Sequence, residues 1–235
     1  MRVFGRAMKS PGRRASAKKK VLIVDDHPMM REGVALLISR EKDLEVCGEA
    51  DTAPAALEKV AQLKPDLVIV DITLPGRSGL ELIKDIEAMH PGTLVLVVSM
   101  HEESLYAERV LRAGGRGYVM KQEGGKKLLE AIRHVLTGQI YVSSSMSARI
   151  LEIFSGHRAE TAKSPIEGLT DREFEVFRLI GQGASTRETA RKLRLSVKTV
   201  EVHRLNIKAK LKLSTASELV HYAVRWMQSQ TPGSV

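Results

Sequence analysis

At 235 residues and 43% hydrophobic, the chain is long enough for one large domain or two ordinary ones and can bury a proper core. Its single cysteine excludes an internal disulfide and fits a reducing compartment. No apolar run approaches transmembrane length, and the basic first twenty residues lack the apolar stretch of a secretory signal. On these features the protein is expected to be cytoplasmic, with no membrane partner.

The net charge of +9 is unevenly spread: residues 1–20 carry eight Lys/Arg and no acid, residues 21–167 seventeen basic and twenty-two acidic groups, and residues 168–235 twelve basic and six acidic. An acidic module followed by a basic one implies different partners, the basic one suited to a polyanion. The leader, 1–19, is too polar to offset its own ordering entropy, and reads as a solvated segment or a non-specific nucleic-acid arm.

From Lys20 apolar strands alternate with amphipathic helices. Val21–Val24 reads as a strand ending in Asp25-Asp26, and Pro28 opens a helix to about Arg40. Leu44–Cys47 and Ala53–Leu63 follow as strand and helix. Leu67-Val68-Ile69-Val70 is a strand buried on both faces, stopping at Asp71 before Pro75, Gly76 and Gly79. A helix over about Ser78–Met89, strand Leu94–Val98, helix Ser104–Ala113, strand Tyr118–Met120 and helix Lys126–Leu136 complete the pattern. Five β-α repeats predict an α/β fold, a doubly wound five-stranded parallel sheet in the order 2-1-3-4-5. This domain spans 20–140. A linker, 141–167, holds a short helix at Ser145–Phe154. A smaller all-α domain, 168–228, has helices near Asp171–Ile180, Thr186–Leu193, Val197–Leu211 and Thr215–Met227. Capping boxes pair Thr170 with Glu173, Ser185 with Glu188 and Thr215 with Glu218. A flexible tail occupies 229–235.

Four of the five strands end in a polar residue at one sheet edge: Asp25-Asp26, Asp71, Ser99 and Lys121. Converging carboxylates repel, each close pair by about 4 kcal/mol at an effective dielectric of 20. A hard divalent cation removes that cost, and Mg²⁺ prefers carboxylates, water and phosphate oxygens. A carboxylate so placed can attack phosphorus, with Lys121 and Ser99 stabilising charge on the transferring oxygens. Tyr118 is either plain core or a rotating switch. His27 reads as a loop residue. Cys47 reads as a small buried apolar group.

This set resembles the receiver domain of two-component response regulators, from about Lys20 to Gly138. The resemblance implies that Asp71 accepts phosphate from a sensor kinase histidine. It implies further that Asp25 and Asp26 bind Mg²⁺ with Asp71 and Thr73, and that Ser99 and Tyr118 move when phosphate arrives. Thr73 and His101 stand where family members vary in self-dephosphorylation. Gln122-Glu123-Gly124-Gly125 departs from the pattern, and the glycines are expected to loosen the start of the last receiver helix.

In the basic module, Ser185–Leu193, the turn at Leu195-Ser196 and Val197–Leu211 form a helix-turn-helix layout, its second helix suited to the major groove. A helical wheel buries Val200, Ile207 and Leu211 and exposes Lys198, Val202, Leu205 and Ala209, flanked by Glu201 and Asn206. Base contacts are expected from Lys198, Glu201, Val202 and Leu205, and phosphate contacts from Thr199, Arg204, Lys208 and Lys212. The segment resembles the LuxR-type helix-turn-helix of NarL/FixJ response regulators in Leu169-Thr170-Asp171-Arg172-Glu173, Gly181-Gln182-Gly183 and Leu195 to Arg204. Thr186 and Thr189 replace the usual Asn and Ile, and Thr189 is expected to weaken packing. The apolar arc of the last helix, including Leu219, Ala223, Trp226 and Met227, either forms a dimer contact or closes the small core.

The reading is a phosphorylation-dependent, DNA-binding transcription regulator. It is not a turnover enzyme, and its partners are a sensor histidine kinase, double-stranded DNA and, when phosphorylated, a second copy. A phosphohydrolase would need a second acid at position 73, where Thr73 stands. A regulator acting only through protein contacts would show no salt-dependent DNA affinity.

Overall fold

The computed structural model describes residues 17–154 and 165–230. The first sixteen residues of the leader, part of the linker (155–164) and the end of the tail (231–235) lie outside the described residues.

Strands β1 (Lys19–Val24), β2 (Leu44–Ala50), β3 (Leu67–Val70), β4 (Leu94–Ser99) and β5 (Gly117–Met120) alternate with α1 (Pro28–Ser39), α2 (Ala53–Leu63), α3 (Gly79–Met89), α4 (Glu103–Arg112) and α5 (Gly124–Leu136). The strands pair in parallel in the order β2-β1-β3-β4-β5. Strand alternation divides the core. Leu22, Val24, Val68, Val70, Val95 and Val97 pack with α2, α3 and α4, while Val21, Ile23, Leu67, Ile69, Leu96 and Val98 pack with α1 and α5.

Several boundaries differ from the sequence expectation. β2 continues past Cys47 to Ala50, with its register slipping between Val21 and Leu22 so that one extra residue bulges out. An edge strand tolerates the weak strand formers Gly48 and Glu49 there. α5 starts at Gly124 rather than Lys126, after a 3-10 turn at Lys121–Glu123. A Cβ on Gly125 would stand 2.7 Å from Leu37 Cδ1, so the glycine that was expected to loosen the helix lets it close onto α1.

α3 is where the fold serves the site most directly. Ser78 caps it in a capping box with Glu81. A Cβ on Gly79 would lie 2.2 Å from the Asp71 carbonyl oxygen. Only a glycine lets this helix begin directly beneath the end of β3.

Beyond α6 (Ser144–Phe154), the 3-10 turn Pro165–Gly168 leads into α7 (Asp171–Gly181), α8 (Thr186–Leu193), α9 (Val197–Leu211) and α10 (Ala216–Gln230). The turn lies in the expected linker, yet Ile166 is buried and its carbonyl accepts a 2.8 Å hydrogen bond from Arg109. α7 forms the centre of the small domain through Phe174, Val176, Phe177, Leu179 and Ile180, packed with Ala190, Leu193, Val200, Ile207, Leu211, Leu219 and Ala223. At Leu219 and Ala223 the second of the two alternatives for α10, closure of the small core, is the one the packing shows. Leu219 and Ala223 are fully buried inside their own domain, and Trp226 stands edge-on to Phe174 and Phe177, each at 5.6 Å. Met227 is half-buried and lies where a Cβ on Gly181 would meet it. The arc is turned inward at Leu219, Ala223 and Trp226 because α10 packs along α7, while Val220 stays exposed.

No helix among the described residues is long and apolar enough to cross a membrane.

Candidate functional site

The register of the parallel strands brings their ends together. Val24 pairs with Val70, and the Asp71 amide donates to the Val24 carbonyl at 2.9 Å, so Asp25 and Asp71 emerge side by side. Lys121, first residue after β5, spans the gap: its Nζ lies 2.7 Å from Asp25 Oδ2 and 2.7 Å from Asp71 Oδ2. The Lys121 and Asp71 side chains are each only 5% exposed. Burial pushes the Asp71 carboxyl above the usual aspartate range, and the attraction of Lys121 only partly opposes it. Burial would lower Lys121, but the two carboxylates outweigh it and raise the ammonium. The sequence-predicted convergence of Asp25, Asp71 and Lys121 is therefore present.

Asp26 completes the acidic group. Ligand atoms of Asp25, Asp26, His27 and Asp71 all lie within 4.8 Å of one another. His27, assigned from sequence to the loop alone, thus joins the cluster. Its amide donates to Asp25 Oδ1 at 2.9 Å, and its Nδ1 lies 2.6 Å from Asp26 Oδ1. That close approach lacks hydrogen-bond geometry, so the buried Asp26 Oδ1 has no donor. A nearly buried carboxylate oxygen with no donor, beside two further carboxylates, is the donor set a hard divalent cation requires. Thr73 donates its amide to Asp71 Oδ1 at 3.3 Å, while its hydroxyl shares a 3.0 Å hydrogen bond with His101 Nε2.

Ser99 is buried, and its Oγ accepts from the His101 amide at 3.3 Å. Tyr118 is turned inward, its hydroxyl donating to the His101 carbonyl at 2.8 Å; burial raises its hydroxyl far above the ordinary tyrosine range. His101 stacks on Tyr106 at 5.0 Å. Burial, reinforced by Arg178, lowers its pKa to about 3. It is neutral at pH 7.

A second set of residues, unforeseen from sequence, joins the small domain to this edge. α7 has a charged face that is buried rather than solvated: Asp171, Arg172, Glu173, Glu175 and Arg178 are all at most 8% exposed. Glu175 accepts from Ser78 Oγ at 2.7 Å and pairs with Arg172. Arg172 also donates to the carbonyls of Gly76 and Leu193, both at 3.1 Å. Asp171 pairs with Lys84 at 2.7 Å and Arg109 at 3.3 Å. The Arg109 guanidinium lies 4.1 Å from the Phe174 ring centre. Arg178 donates to Tyr106 Oη at 3.1 Å and approaches His101 Nε2 at 3.4 Å. Arg194, between α8 and α9, lies 2.9 Å from Asp26 Oδ2. The only sequence signal for these was a helix with charges on the side away from its apolar stripe, and a solvated face looks the same.

The outer face of α9 matches the helical wheel. Val200, Ile207 and Leu211 are buried, while Val202 (48%) and Leu205 (59%) are exposed. Lys198, Glu201, Asn206, Ala209 and Lys212 are exposed, and Thr199, Arg204 and Lys208 half-buried. Ser196 caps the helix, accepting from the Thr199 amide at 3.0 Å. Thr189 is fully buried and its Oγ1 has no hydrogen-bond partner.

Comparison with known proteins agrees with this geometry. Residues 21–133 match the response regulator receiver domain, and residues 167–223 match the luxR family of bacterial regulatory proteins. The oxygen regulatory protein NreC of Staphylococcus carnosus (strain TM300) is 36% identical, over 88% of this chain and 97% of its own. The fold is similar to the RcsB response regulator of Salmonella typhimurium, with a TM-score of 0.61 and 26% identity, covering 88% of this chain and 98% of that one. It is also similar to RcsB bound to promoter rprA in the presence of phosphomimetic BeF3-, with a TM-score of 0.58, 26% identity and the same shares covered.

Proposed function

The chain belongs to the two-component response regulators that join a receiver to a LuxR-type helix-turn-helix, and from that premise we propose that phosphorylation of Asp71 by a sensor histidine kinase controls its binding to promoter DNA as a dimer. The domain division proposed is receiver 20–140, linker 141–167 and DNA-binding unit 168–228.

The observation that carries this reading is Lys121 Nζ held 2.7 Å from both Asp25 and Asp71. In the proposed transfer an Asp71 carboxylate oxygen forms a bond to phosphorus while the P–N bond of the kinase phosphohistidine breaks, and the leaving imidazole takes a proton. Lys121 is placed to exchange a carboxylate oxygen for one on the phosphoryl group, and the buried Ser99 hydroxyl to donate to another. Asp25, Asp26 and Asp71, with the Thr73 main chain, would hold Mg²⁺, whose charge offsets the carboxylate repulsion and the negative charge of the phosphoryl oxygens. Lys198, Glu201, Val202 and Leu205 would face base edges, and Thr199, Arg204, Lys208 and Lys212 the phosphates.

The test is labelling of the full chain with a small acyl phosphate and Mg²⁺, read on a phosphate-affinity gel. The wild type should yield a hydroxylamine-sensitive shifted band and Asp71→Asn none. A band persisting in D71N would move the acceptor elsewhere.

A further inference from the structure

Arg194 meets the receiver at an unusual place. It is the residue closing α8, with φ 52° and ψ 44°, in the turn of the helix-turn-helix. Its left-handed conformation singles nothing out, because Lys64 and Lys212 share it and basic residues suit a helix C-terminus. Its contact does. The guanidinium lies 2.9 Å from Asp26 Oδ2, while the other oxygen of that carboxylate has no hydrogen-bond donor. The Arg194 side chain is 56% exposed and Asp26 only 7%, so the arginine approaches the acidic pocket from outside. The turn that carries it is fixed on both sides: Leu193 is buried with its carbonyl held by Arg172 at 3.1 Å, and the Leu195 amide donates to the Ala190 carbonyl at 2.9 Å.

We infer that Arg194 is a tethered competitor for the divalent cation: the small domain supplies a positive charge to Asp26 when docked, and cation binding and docking oppose each other. This rests on Asp26 being a cation ligand, as proposed above. The physical ground is that one carboxylate serves two cations. A divalent ion at Asp26 neutralises the charge that attracts the guanidinium and repels it in turn. Linkage makes the effect reciprocal, so docking must weaken the ion by the same factor as the ion weakens docking. Mg²⁺ alone, before any phosphoryl transfer, therefore loosens one of the contacts that hold the DNA-binding unit against the receiver.

The test is calorimetric titration of the full chain with MgCl₂, alongside energy transfer between dyes on Cys introduced at the exposed Lys42 and Gln228 in a Cys47→Ser background. Arg194→Ala should bind Mg²⁺ about three- to tenfold more tightly than wild type, the range of an ion pair with one exposed partner. Arg191→Ala removes the same charge from exposed α8 and should stay within about twofold of wild type. Saturating Mg²⁺ should lower energy transfer in the wild type and change it less in R194A. Equal affinities for R194A and R191A, or energy transfer indifferent to Mg²⁺ despite measured binding, would overturn the competition. If none of the proteins binds Mg²⁺, the cation assignment itself falls, and the competition with it.

Discussion

Glu175 offers the sharpest perturbation of the docked arrangement. Its carboxylate is 2% exposed, pairs with an Arg172 side chain 7% exposed, and accepts from Ser78 Oγ on the receiver at 2.7 Å. Glu175→Ala would strand a buried guanidinium, a change that costs about 3–5 kcal/mol. Arg172 keeps its bonds to the Gly76 and Leu193 carbonyls, so the lower end applies, about 3 kcal/mol. That penalty falls on docking rather than on folding, because separating the domains returns Arg172 to water. The docking equilibrium should therefore shift about a hundredfold toward the separated state. Glu175→Gln, which can still accept from Ser78, should shift it about tenfold. The dye pair at Lys42 and Gln228 reads the shift, and an unchanged helical circular dichroism signal confirms that both domains remain folded. A folded E175A protein with wild-type energy transfer would refute the premise that Glu175, through Ser78 and through Arg172, holds the domains together.

Three further outcomes follow from particular side chains. His101, with its pKa near 3 in the folded chain and an ordinary value of about 6.5 when exposed, binds its proton more readily in the unfolded state. Its contribution to stability is complete above about pH 6.5 and is lost as pH falls toward 3, amounting to about 2 kcal/mol by pH 5. Urea unfolding at pH 7.5 and 5 should show the wild type losing that much more than His101→Asn; parallel losses would place the ring in solvent. Thr189→Val should raise the thermal midpoint by the equivalent of about 1–2 kcal/mol, because it removes a buried hydroxyl without a partner and keeps the shape; an unchanged or lower midpoint would mean that a water satisfies Oγ1. Arg204→Ala should reduce the slope of log affinity against log salt on promoter DNA by about one, whereas Lys198→Ala should weaken promoter binding and alter the footprint. Unchanged binding and footprint in K198A would sink the placement of the groove face.

The receiver was legible because its signals are local and repeated. A strand buried on both faces has no alternation to misread, and Leu67–Val70 is buried throughout. Parallel pairing then forces whatever follows each strand to the same edge, which is why the convergence of Asp25, Asp71 and Lys121 is legible in the sequence. β2 was cut short because Gly48 and Glu49 have poor strand propensity, and only its place at the sheet edge sustains it. His27 could not be added to the acidic group, since a loop's dihedral angles decide which way its ring points. The charges of α7 and Arg194 escaped for a different reason. Burial of a charged face depends on a surface 62 to 97 residues away along the chain for α7, and the pattern along the helix is the same whether water or the receiver covers it.

The chemistry of that covered face bears on how the protein can switch. Apolar contact between the domains includes Tyr106 and Phe174, edge-on at 5.3 Å, and the polar contacts across the same face run through Arg109, Arg172, Arg178 and their partners. Had the same surface been apolar, every 200 Å² buried would add about 5 kcal/mol to docking. Reversing a two-state balance from 1:99 to 99:1 already requires about 5.5 kcal/mol of differential stabilisation, so a modest apolar clamp would put the open state beyond reach of one phosphoryl group. Buried ion pairs behave differently: desolvation nearly cancels their attraction, so they fix geometry while adding little net free energy. A clamp of this kind stays close to balance, and small changes at its edge can tip it. Two of its contacts end on that edge, Arg194 at Asp26 and Arg178 at the His101 ring, which also meets Thr73. If Asp71 accepts phosphate as proposed, the modification would act on the contacts themselves, and its coupling to the DNA-binding unit would need no relay through the core.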